Sequence, residues 1–112
     1  EEGVPTYDEL IFIANSAALA DPRLPRFLDA IEAATLYILN HPDESFELFI
    51  KGRPELDDEL NRRAFADTLP RFASRPAALD HARYARFAAF LERQGLIKPP
   101  PPVETYAREL PR

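Results

Sequence analysis

A chain of 112 residues, 46% hydrophobic, 11% aromatic and 29% charged, is long enough for one small domain and too short for two independent hydrophobic cores. Its net charge of -5, from 19 acids against 14 bases, argues against the basic footprint of a nucleic-acid binder and disfavours an anionic membrane surface. The absence of cysteine removes disulfides, thiolate nucleophiles and sulfur metal ligands, and no apolar run approaches the roughly 20 residues that a membrane-spanning helix needs.

Residues 1–8 read as an irregular lead-in, punctuated by Gly3 and Pro5. Leu10, Ile11, Phe12 and Ile13 then follow one another without a polar residue between them, which predicts a strand over 9–14 that is covered on both faces. From 22 to 110 the pattern is helical. Leu24, Phe27, Leu28, Ile31, Thr35, Ile38 and Leu39 recur at helical spacing, with Asp21 as a cap and an end near Asn40, before Pro42. Pro42 opens a second helix with Asp43 and Glu44 at its positive end and Phe46, Leu48, Phe49 and Ile50 as its buried side, stopped by Gly52. A third helix is expected over 55–68, with Leu56, Leu60, Ala64, Phe65 and Leu69 inward and Asp58–Arg62 and Glu59–Arg63 as i, i+4 pairs. The stripe of Tyr84, Phe87, Ala88 and Leu91 marks a fourth over 80–94, with Gly95 at its left-handed end. A polyproline stretch over 99–102 leads into a short last helix over 103–110.

The fold class expected is mainly α, four to five helices plus one strand. A lone strand covered on both faces leaves its edge groups unpaired, at about 1 to 3 kcal/mol for each one buried, so partners must exist. With no second strand candidate, they lie in another part of a longer polypeptide or in another copy of the chain. The chain starts at Glu1 without an initiator Met or a basic-then-apolar leader, so it is expected to be processed or excerpted, with any signal peptide outside it.

The catalytic inventory is thin. His41 and His81 sit on different helices with no metal-ligand spacing, Gly3, Gly52 and Gly95 are isolated, and the run Asp57, Asp58, Glu59 lacks the spacing of a calcium loop. Ser16, Ser45 and Ser74 stand in no nucleophile motif. No catalytic residue, metal or cofactor is expected. Tyr7, Asp8 and Glu9 are the candidate ligand-binding residues, because strand ends are where α/β sheets place ligands. The competing reading makes Tyr7 a packing aromatic and Asp8 a turn former.

The segment GVPTYDELIFIAN over 3–15, then Asp21-Pro22-Arg23-Leu24, Asn40-His41-Pro42-Asp43-Glu44, Gly95-Leu96-Ile97 and Pro102-Val103-Glu104-Thr105-Tyr106-Ala107, resembles the C-terminal part of thiamine-pyrimidine-type solute-binding proteins of ABC importers. The resemblance covers nearly the whole chain. It implies a parent α/β fold of the two-lobed periplasmic-binding-protein type (type II-like), with 1–8 near the crossover between lobes and 9–14 in the sheet of the first. It also implies a hydroxymethylpyrimidine-like ligand, an ABC permease as partner, a missing N-terminal lobe carrying the main ligand contacts, and a periplasmic or cell-surface lipoprotein location. On that reading the protein is not an enzyme, and the isolated chain is expected to be a homo-oligomer that pairs through 9–14. Two alternatives stand beside it: a fragment of a related pyrimidine-forming enzyme of thiamine biosynthesis, with catalytic His and Cys residues upstream, and a free-standing helical interaction domain.

Overall fold

The computed structural model describes residues 3–110, so the first two residues of the expected lead-in lie outside the described part. Four α-helices carry the fold: α1 (Arg23–Asn40), α2 (Pro42–Ile50), α3 (Glu59–Thr68) and α4 (His81–Arg93), with short 3-10 turns at Ser16–Ala18, Pro54–Leu56, Leu69–Arg71 and Val103–Thr105. The mainly α reading holds. No helix among the described residues is long and apolar enough to cross a membrane.

The helix ends follow from local chemistry. Asp21 accepts a hydrogen bond from the Arg23 backbone N–H at 2.9 Å and its other oxygen takes the Arg23 guanidinium at 2.7 Å, which starts α1 and holds the Asp21 carboxyl below its usual range. His41, fixed by the proline after it, separates α1 from α2. Asp80 caps α4 by accepting from the Arg83 N–H at 3.0 Å. At the other end Gly95 adopts φ +71°, and the paired bonds Gly95 N–H to Glu92 O (2.9 Å) and Leu96 N–H to Leu91 O (3.0 Å) close α4 in a Schellman motif.

Five expectations need correction. Residues 9–14 form no strand; Leu10 is 96% exposed and Ile13 88%, since an extended segment is a strand only when a neighbour pairs with it. Helix α3 begins at Glu59 rather than at residue 55. Pro54 sets a 3-10 turn, and Asp58 takes the cap position, accepting from the Asn61 N–H at 2.7 Å. That capping role removes Asp58 from its expected pairing. Arg62 instead bonds Asp57 and approaches Glu47 (3.8 Å), and Arg63 reaches Asp67 (3.9 Å) in place of Glu59. Leu60, expected inward, is 76% exposed. The last helix over 103–110 reduces to the turn Val103–Thr105, because so short a segment gains too few bonds to offset helix nucleation.

The chain divides into two compact units. One is Pro25–Pro76; the other joins the chain up to Leu24 with the chain from Ala77 onward. In the first, Phe46 and Ile50 are buried, and Phe46, Phe49 and Phe65 form an aromatic cluster with ring centroids 5.3 to 6.3 Å apart. The Arg62 guanidinium lies 4.7 Å from the centre of the Phe46 ring, tying α3 to α2. In the second unit Val103 is buried, and Phe87 and Phe90 of α4 stack at 6.4 Å.

Candidate functional site

The lead-in is held against α4 by two consecutive residues. Tyr7 lays its ring on Phe87, with centroids 4.5 Å apart and planes within 6°. Asp8 accepts a hydrogen bond from Arg83 Nη1 at 2.8 Å. On α4, Arg83 and Phe87 are one helical turn apart and share a face, so an aromatic-acid pair on the lead-in meets a basic-aromatic pair on the helix.

Electrostatics reinforce the fit. The Arg83 guanidinium is pushed further above its ordinary value by Asp8, first through their hydrogen bond and then through charge, with Asp80 at 3.8 Å adding a lesser share. The Tyr84 hydroxyl is raised above its ordinary 10.0 by burial first and by hydrogen bonding to Asp8 second. It therefore stays protonated at neutral pH. Beyond them, His81 Nε2 lies 3.7 Å from Glu104.

Of the three residues singled out from sequence, the structure joins Tyr7 and Asp8 to α4 and leaves Glu9 outside the cluster. Glu9 is exposed and makes no ion pair among the described residues. Tyr7 packs on Phe87 and Asp8 pairs with Arg83. Arg83 escaped the sequence reading. Its spacing to Phe87 on the apolar face of α4 was the available signal. As chemistry, the cluster pairs its acid with its base and keeps its phenol neutral, which suits a brace that also presents the adjoining Glu9 carboxylate to solvent. No group of three or more His, Cys, Asp or Glu residues among those described could hold a metal ion.

The geometry describes a lead-in clamped to α4, and comparisons with known proteins show what the chain is similar to. Residues 1–45 match the family model described as NMT1/THI5 like. The chain is 42% identical over 109 residues to a protein of Haemophilus influenzae (strain ATCC 51907 / DSM 11121 / KW20 / Rd) named for thiamine biosynthesis, a match that takes in 96% of this chain and 35% of the relative. It is 29% identical over 75 residues to the 4-amino-5-hydroxymethyl-2-methylpyrimidine phosphate synthase of Aspergillus parasiticus, over 65% of this chain and 22% of that enzyme. No solved structure matches. Over residues 1–45 the chain is thus similar to NMT1/THI5-like proteins, and the two relatives are named for thiamine biosynthesis and for synthesis of a pyrimidine phosphate. It spans about a third or less of the length of these two relatives.

Proposed function

We propose that this chain is the C-terminal portion of a solute-binding protein that delivers a thiamine-precursor pyrimidine, or a similar small heterocycle, to an ABC permease. The single observation that carries the reading is the state of the crossover residues. Tyr7 is stacked on Phe87 and Asp8 is bonded to Arg83, so both brace the lead-in against α4 instead of standing free as reacting groups. In the intact receptor Tyr7, Asp8 and Glu9 border the ligand cleft, Glu9 offering its carboxylate and the other two fixing where it points. The receptor works by closing on its ligand and presenting the closed form to the permease, at the periplasmic face or anchored as a lipoprotein.

A second reading rests on the similarity to the Aspergillus synthase, which makes an enzyme that forms the pyrimidine the competitor. The two differ in what happens to the heterocycle. Measuring equilibrium binding of hydroxymethylpyrimidine to the full polypeptide, and expressing that polypeptide in cells that cannot form the pyrimidine to see whether a pyrimidine phosphate appears with no pyrimidine supplied, separates them. Saturable binding without product is expected; formation of the phosphate by the protein would replace the receptor with the synthase.

A further inference from the structure

Pro99, Pro100, Pro101 and Pro102 are consecutive, and they join the end of α4 at Gly95 to the turn Val103–Thr105. Pro102 has φ -53° and ψ 142°, the polyproline conformation. Pro99, Pro101 and Pro102 are exposed and Pro100 is half-buried, so packing does not account for proline at all four places. The run acts earlier, while the chain is being made.

A peptide bond forms when the amine of the incoming aminoacyl-tRNA attacks the ester carbon of the peptidyl-tRNA. The C–N bond forms, the ester C–O bond breaks, and the proton lost by the amine ends on the released 3′-oxygen. Proline brings a secondary amine inside a ring that fixes φ near -65°, and it restricts the residue before it as well. A proline that must attack a chain already ending in proline meets a partner as stiff as itself, so the two reacting atoms come into line slowly. The run repeats that misfit at each successive bond from Pro99 to Pro102.

The place of the run matters as much as its chemistry. Extended chain advances about 3.3 Å per residue, so a ribosomal tunnel on the order of 100 Å long hides roughly the last 30 residues made. With synthesis held at Pro101, the hidden stretch starts at about residue 72, and α1, α2, α3 and the turn Leu69–Arg71 are all outside. Helix α4 (His81–Arg93) is still inside, and with it Arg83 and Phe87, the partners of Asp8 and Tyr7. The unit Pro25–Pro76 is continuous in sequence and helical, a class that folds in microseconds to milliseconds. The other unit is divided between the chain up to Leu24 and the chain from Ala77, and it cannot close before α4 emerges.

We propose that Pro99–Pro102 is a synthesis checkpoint: the ribosome pauses there until a translation factor specialised for prolyl transfer aligns the reactants, and during the pause α1, α2 and α3 pack while the lead-in still waits for its clamp. The pause withholds Phe87 and Phe90 of α4 until Phe46, Phe49 and Phe65 have formed their cluster.

Translation of the full polypeptide's message in a reconstituted system, with and without that factor, tests this. Without the factor, passage through the run should be slower by roughly 10-fold or more, the effect of about 1.4 kcal/mol in a barrier, with ribosomes stopped at Pro100 or Pro101. The stop should vanish in the double variant Pro100→Ala, Pro101→Ala. Brief proteolysis of the stopped complexes should spare the stretch from Phe46 to Phe65, and Phe46→Ala should remove that protection. Equally fast passage with and without the factor would overturn the proposal. So would a stop at which the unchanged chain is cut between Phe46 and Phe65 as readily as Phe46→Ala. Neither readout depends on whether the intact protein binds the pyrimidine or makes it.

Discussion

Asp8 joins the lead-in to α4: it accepts from Arg83 at 2.8 Å, and after burial its carboxylate helps to raise the Tyr84 hydroxyl. Its ion pair is partly exposed, so Asp8→Asn should lower stability by no more than about 1 kcal/mol. Tyr7→Ala should cost more, because it removes buried ring surface as well as the roughly 0.5 to 1.5 kcal/mol specific to a stacked aromatic pair. Urea melts of the two variants check the order; a larger loss from Asp8→Asn would mean that charge, not stacking, holds the lead-in. Tyr84 gives a pH signature. Its hydroxyl is raised in the folded chain, so the folded state holds that proton more tightly than the unfolded one, and the associated stability is complete below pH 10 and lost as the pH rises past it. Thermal melts taken upward from neutral pH should show a decline above pH 10 that is smaller in Tyr84→Phe, and identical declines in both would remove Asp8 and burial as the cause.

Single elements were legible in the sequence to the extent that their causes are local. Asp21 and Gly95 announce helix ends because a cap or a left-handed residue acts within one turn, and both perform the expected role. Gly95→Ala meets no steric neighbour but must hold φ +71°, so it should destabilise α4 by roughly 1 kcal/mol in a urea melt, whereas no loss would deny the Schellman end. Where two local signals competed, the sequence misled: Asp58 could pair with Arg62 or cap α3, and the unpaired N–H groups at the helix start claimed it. Leu60 followed the period of its helix yet stays exposed, since periodicity marks a face without saying what lies against it. Of the site, Tyr7 and Asp8 were legible as an unusual pair, but Arg83 was not, because its partner is 75 residues away along the chain. Phe87, only part-buried between Tyr7 and Phe90, should cost about 2 kcal/mol on change to alanine, below the 3 to 5 of a fully buried phenylalanine. Arg86→Ala on the exposed side of α4 should cost little, and equal losses would reverse the assigned face.

For the whole molecule the decisive feature is surface left open by a chain that spans 35% of its Haemophilus relative. The segment 10–13 keeps its apolar side chains in water, and covering them yields roughly 25 cal/mol for each Å². The isolated chain should therefore self-associate at high concentration, seen as an increased mass by light scattering on a sizing column, and Leu10→Lys should weaken the association; a monomer indifferent to that change would show that the segment is not adhesive. The same incompleteness governs function. A pocket that holds a small ligand buries about 70 to 90% of its surface, and on the receptor reading proposed above this chain supplies only part of that enclosure. Titration calorimetry of hydroxymethylpyrimidine into the 112-residue chain and into the full polypeptide side by side tests this most directly: saturable binding by the full polypeptide alone is the result expected, and micromolar binding by the isolated chain would contradict it.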